Sequence, residues 1–129
     1  MTAPLVLIIA QHAASYRYEG ALRGAGIPVI VSSSFEDAKE TLRPSRPGRA
    51  TAKPDIILVM TDDFGPGLKF VRWVRELPGF EITPMLIMTH IFEGGKPPPE
   101  ILDALGVKAL TDGMVPENEI LRFVLEANV

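Results

Sequence analysis

The sequence predicts a doubly wound α/β sandwich, a five-stranded parallel sheet with helices on both faces in (βα)5 order. Two observations carry that expectation. Short aliphatic runs recur along the chain: Leu5–Ala10, Pro28–Val31, Asp55–Met60, Met85–Met88 and a weaker Val107–Leu110 after Gly106. They do not alternate with polar residues, which is how strands buried on both faces read. Between them the apolar spacing changes to three and four residues, that of an amphipathic helix, so strand and helix alternate along the chain.

Each helix has its own signals. Tyr18, Ala21, Leu22 and Ala25 fall at i, i+3, i+4 and i+7, and Gly26 supplies the stop. Ser34 and Asp37 make a capping box with Asp in place of the usual Glu, followed by a Phe35, Ala38, Leu42 stripe. In the third helix Phe70, Val71, Trp73, Val74 and Leu77 share one arc, Lys69, Arg72, Arg75 and Glu76 the other, and Pro78-Gly79 ends it. The stretch Gly65-Pro66-Gly67 reads as a turn into that helix, which should begin near Gly67. Pro97–Pro99 opens a fourth helix with Glu100 in its first turn, and Leu105-Gly106 closes it. Pro116 suits a first helical position before Ile120, Leu121, Val124 and Leu125. Trp73 lies toward a margin of its arc; it serves either as a binding anchor or, the plainer expectation, as packing on the sheet or a nearby loop. Met60, Met85 and Met88 belong to core strands and call for no cofactor.

The 129 residues fit one domain spanning 1–129, with a basic loop insertion at about 44–54, Pro-Ser-Arg-Pro-Gly-Arg-Ala-Thr-Ala-Lys-Pro, read first as a solvated loop. With 47% hydrophobic residues the chain is expected to fold, and its net charge of −3 argues against nucleic acid as a partner. Zero cysteines exclude disulfides, thiolate zinc sites and a cysteine nucleophile. Leu5–Ala10 is too short for a signal sequence or a membrane span, so a soluble cytoplasmic domain is expected.

In an open parallel sheet ligands bind outside the C-terminal strand ends. The polar residues expected there are Gln11 and His12, then Thr61, Asp62 and Asp63, then Thr89 and His90, and finally Thr111 and Asp112. There is no Gly-rich phosphate cradle of either dinucleotide or P-loop type. His12 and His90, with Asp62 or Asp63, could form a two-histidine, one-carboxylate metal site; solvated loop residues, with the acids at the start of the third helix, are the simpler alternative. Nothing resembles a nucleophile elbow with an oxyanion hole.

The order of elements, Pro54-Asp55-Ile56-Ile57-Leu58-Val59 on the third strand, Pro84-Met85-Leu86-Ile87-Met88-Thr89 on the fourth, and Gly106 before the fifth resemble a response-regulator receiver domain of the CheY-like family. That resemblance runs over essentially the whole chain and implies the flavodoxin-like, CheY-like three-layer arrangement. It also implies a phosphoryl group passing from a histidine kinase to an aspartate at the end of strand three. Two acids after strand one hold Mg²⁺, while a Thr or Ser on strand four and a Lys on strand five contact the phosphoryl oxygens. Crowded anions make the divalent cation and the fixed positive charge necessary.

Carried across residue by residue, the site pattern departs almost everywhere. The acid pair falls on Ile9 and Ala10, the phosphoacceptor on Met60, the Lys on Gly113 and the aromatic switch position on Leu110, while only Thr89 matches. Relative to the family one residue is missing between Met60 and Gly67. The resemblance therefore implies a degenerate pseudo-receiver in which Ile9, Ala10 and Met60 fill the former pocket together.

The function expected is phosphorylation-independent, non-enzymatic signalling through protein–protein contacts, with no cofactor and no metal. The partner face implied by the family is helix four, strand five and helix five, around Lys108 and Arg122, used for a protein partner or a homodimer. Two alternatives stay open. One is a metal-binding or enzymatic domain built on His12, Asp62, Asp63 and His90; the other is a cryptic phosphoreceiver using Asp62 or Asp63.

Overall fold

The computed structural model describes residues 3–10, 15–43, 53–61, 64–88, 99–110 and 116–127. Strand and helix alternate through them as β1 Val6–Ala10, α1 Ser15–Gly24, β2 Val29–Ser32, α2 Phe35–Leu42, β3 Ile56–Met60, α3 Phe64–Glu76, β4 Met85–Met88, α4 Pro99–Leu105, β5 Val107–Leu110 and α5 Glu117–Ala127. The strands form one sheet in the order β2-β1-β3-β4-β5. Every neighbouring pair is parallel, as required when a helix returns the chain to the same edge.

Alternation of side chains along each strand divides the interior into two cores. Val6, Ile8, Ile56, Leu58, Met60, Leu86 and Met88 face Tyr18 and Leu22 of α1 and Ile120 and Val124 of α5. Leu7, Ile9, Ile57, Val59, Met85 and Ile87 face Ala38 and Leu42 of α2 and Phe70, Val71 and Val74 of α3. Leu102 and Leu105 of α4 pack at the margin of this second core. All five residues of β3 are buried, which explains why its sequence shows no polar alternation.

Helix ends follow the local chemistry. The Ser34 hydroxyl accepts the Asp37 N–H at 3.1 Å, the first half of the capping box. At the C-terminal end of α1, Gly26 takes φ +79. Its N–H reaches the Arg23 carbonyl at 3.0 Å and the Ile27 N–H reaches that of Leu22 at 2.9 Å, a Schellman closure. Ile27 then turns inward at 4% exposure, whereas Ala25, expected on the buried stripe, is exposed.

Two boundaries differ from the sequence expectation. Helix α3 starts at Phe64, so Gly65, Pro66 and Gly67 lie in its first turns. Pro66 is tolerated because the first amides of a helix have no intrahelical acceptor. Gly67 is buried where α3 crosses β3; a Cβ there would lie 3.1 Å from Thr61 Cγ2 and 3.5 Å from Ile87 Cγ2, so only glycine fits without displacement. Pro116 stands one residue before α5, its carbonyl accepting the Glu119 N–H at 3.0 Å.

Candidate functional site

Strand order 2-1-3-4-5 reverses direction between β1 and β3, and in such sheets the ligand crevice lies outside the C-terminal ends at that switch point. Registry there is continuous. Ala10 pairs with Met60, Met60 with Met88, and Met88 with Leu110, forming one transverse row across four strands. Three positions singled out by the receiver resemblance, Ala10, Met60 and Leu110, therefore share a row. Ile9 lies one step back, paired with Val59 on one side and Ser32 on the other.

The described side chains at this rim are mostly apolar. Ile9, Val59, Met60 and Ile87 are fully buried, and Met88 is 7% exposed. Met60 and Ile9 do not fill one pocket, contrary to expectation. Met60 belongs to the α1–α5 core and Ile9 to the α2–α3 core, because register places them one residue out of phase on neighbouring strands. The expectation treated the strand ends as a single cavity, whereas the pleat sends them to opposite faces.

Two buried hydroxyls accompany the apolar row. Thr61, at 1% exposure, donates its backbone N–H to the Met88 carbonyl at 3.1 Å and extends the ladder one residue beyond β3. Ser32 ends β2 at 1% exposure, and among the described residues its Oγ has no hydrogen-bond partner. Sequence reasoning did not single out Ser32; its place as the last residue of a buried run was the available signal. Among the described residues this rim offers alkyl, thioether and hydroxyl groups. Mg²⁺ requires carboxylate, carbonyl or phosphate oxygens, so Ile9, Ala10 and Met60 do not fit that ion.

The other expected site residues divide between described and undescribed positions. His12, Asp62, Asp63, Thr89, His90 and Gly113 lie outside the described residues. Among the described residues no group of three metal-ligating side chains occurs. Lys108 pairs in register with Leu86 within β5, and Arg122 is exposed on α5. The loop insertion is described from Lys53 onward, where the Lys53 ammonium lies 5.8 Å from the Phe80 ring centroid.

Among the described residues, three charged side chains bind backbone groups at the opposite edge of the sheet. At the N-terminal edge of the sheet, the Asp55 carboxylate accepts the Leu5 N–H at 2.8 Å while the Asp55 N–H donates to the Leu5 carbonyl at 2.8 Å. Arg75, expected on the outer arc of α3, turns its guanidinium onto the carbonyls of Leu105, Phe80 and Gly106 at 2.6, 2.7 and 3.2 Å. Burial pushes its pKa down. Glu81 is held below the ordinary carboxylate range by its own backbone N–H and by that of Gly79. Trp73 packs on Phe70 at 6.0 Å and lies under the Lys39 ammonium at 5.4 Å, so it joins α3 to α2. That is packing, as expected, but against a helix.

No family model matches the chain. Solved structures do match over nearly its full length. The chemotaxis protein CheY4 of Vibrio cholerae is 18% identical with a TM-score of 0.74, covering 98% of this chain and 99% of that one. A putative response regulator from Chloroflexus aurantiacus is 21% identical with a TM-score of 0.74, covering 99% and 100%. The receiver domain of a sensor histidine kinase from Pseudomonas aeruginosa, determined with magnesium coordinated in its active-site cleft, is 16% identical with a TM-score of 0.72, covering 99% and 100%. In strand order, helix placement and extent, this chain has the CheY-like fold of response-regulator receiver domains.

Proposed function

We propose that this chain is a pseudo-receiver, a signalling module that keeps the receiver scaffold and acts through protein–protein contacts without being phosphorylated. A shared fold does not carry a shared reaction, so the proposal rests on the site. The single observation that carries it is Met60. The residue at the acceptor position is a fully buried thioether inside an apolar core, unable to take a phosphoryl group. Ile9 and Ala10, at the acid-pair positions, add no oxygen ligand, and Gly113 supplies no ammonium. Electrostatic stabilisation of a transferring phosphoryl group needs both.

The module has no catalytic role of its own in this reading. Its output is the face of α4, β5 and α5, including Lys108 and the exposed Arg122, presented to a protein partner or a second copy of the chain. A receiver changes partners because phosphorylation biases two conformations by differential contacts. With Leu110 at the aromatic position and no phosphoryl oxygen for Thr89 to follow, that bias is missing, and one conformation dominates.

The test is incubation with acetyl phosphate and Mg²⁺ followed by intact mass. The expected outcome is an unchanged mass and no rise in melting temperature with millimolar Mg²⁺, because an ion that bound the native state would stabilise it by mass action. A phosphoryl adduct on Asp62 or Asp63 would replace this function with that of a cryptic receiver. Tight binding of a transition metal, abolished in His12→Ala or His90→Ala, would favour the metal site instead.

A further inference from the structure

We propose that Arg75 is a clamp that fixes the α4–β5 turn against the end of α3 and thereby sets the position of the partner face. The clamp stands on geometry; its consequence for binding rests on the function proposed above.

The guanidinium reaches three segments at once. Its Nε donates to the carbonyl of Leu105, the last residue of α4, at 2.6 Å; its Nη2 donates to Gly106 at 3.2 Å; its Nη1 donates to Phe80 in the turn after α3 at 2.7 Å. Among the described residues no carboxylate pairs with it. Its charge is directed wholly at carbonyl dipoles, and two of these close the C-terminus of a helix, where partial negative charge collects. Only arginine offers such donors in a rigid planar fork.

Helix α4 needs outside support. It has seven residues, while isolated helices below about 12–15 residues are marginal in water. Its last carbonyls lack intrahelical partners, and Arg75 supplies donors from another element. Gly106 turns the chain into β5 at φ +66, with its N–H on the Asp103 carbonyl at 3.1 Å. A Cβ at Gly106 would lie 3.3 Å from Arg75 Nη2, so the turn and the guanidinium are fitted to each other. From that turn the chain passes to buried Val107, in register with Met85. Arg75 is therefore a positioning residue for α4 and the start of β5.

Amide hydrogen exchange on the full chain tests the clamp in Arg75→Met and Arg75→Lys, each held below its melting temperature. In Arg75→Met the amides of residues 103–107 should exchange at least about tenfold faster than in the parent, given the strength of hydrogen bonds to a charged donor. Amides of β1 and β3 should change only as global stability dictates. Arg75→Lys should fall between, because one ammonium cannot serve three carbonyls. Acceleration in 103–107 no greater than in β1 and β3 would overturn the clamp and leave the proposed function standing. If Arg75→Met does not fold, the same comparison is read from Arg75→Lys. Phosphorylation of the chain would overturn the function and leave this exchange pattern untouched.

Discussion

The two edges of the parallel sheet are built from different chemistry. At the C-terminal edge, where receivers gather their acids, Met60 and Met88 end β3 and β4 and Ile9 lies one residue before the end of β1, all three buried and apolar. At the N-terminal edge, Asp55 and Arg75 bind backbone groups of neighbouring segments and Glu81 that of Gly79 in its own turn. These three ionised groups serve the backbone, binding amides and carbonyls near where strands begin. Among the described residues, the C-terminal ends of β3 and β4 carry buried apolar side chains instead.

The largest effect should come from placing a charge in the dry edge. Met60→Asp removes a fully buried side chain from the α1–α5 core and introduces a carboxylate with no described partner. The expected loss is about 3–5 kcal/mol, close to that of large-to-small core changes with unpaired polarity added. Chemical denaturation measures it. Met60→Leu, which conserves volume, should cost less than about 1.5 kcal/mol. A neutral Met60→Asp that also accepted phosphate from acetyl phosphate would show an open pocket and dissolve the contrast between the edges.

Next comes the close approach of α3 to the same edge. Gly67→Val sets a branched side chain against Thr61 Cγ2, already 3.1 Å from a bare Cβ, with Ile87 and Val59 behind it. Overpacking of this kind costs about 1–3 kcal/mol, outweighing the helix propensity gained over glycine. A stabilised Gly67→Val would mean that the α3–β3 contact yields and that this edge is less closely packed than the strand register indicates. A smaller effect is expected at the opposite edge. Asp55→Ala deletes the carboxylate on the exposed Leu5 N–H and should cost about 0.5–1.5 kcal/mol, because water can replace a lost surface acceptor.

The sequence made the strands and the fold class legible because aliphatic runs of four to six residues have few alternatives once helical spacing separates them. Ser34 was legible as a cap, and Gly26 and Gly106 as stops, since each acts within a few residues of itself. The facing of Ile9 and Met60 was not. Each strand alternates, but only the register Ala10–Met60 fixes which phase of β1 meets which phase of β3. Arg75 was hidden for a related reason. Helical spacing puts it on the polar arc of α3, and two of its three acceptors lie thirty and thirty-one residues on, at the end of a short helix. The departure at position 60 was read from residue type alone, while its fully buried setting came from the structure.

The smallest effect concerns charge at the surface, where α1 meets α5. Arg17 Nε and Glu117 Oε1 are 2.9 Å apart, and both side chains are well exposed. Glu117 is held below the ordinary carboxylate range first by its own backbone N–H at the start of α5 and then by the Arg17 side chain. A carboxylate with a lower pKa folded than unfolded binds protons more readily in the unfolded chain. It contributes stability above the unfolded value and loses it as pH falls through the folded one. Melting temperature followed from neutral pH into acid should therefore fall slightly more steeply in the parent than in Glu117→Gln. The two curves should converge at the acid end, where both side chains are neutral. Because the pair is exposed, salt should shrink the difference. Arg17→Ala should remove only part of it, since the backbone contribution at Glu117 comes first. Identical acid limbs in the parent and Glu117→Gln would show that the α1–α5 contact depends on its buried residues, Leu22, Ile120 and Val124, and not on its charges.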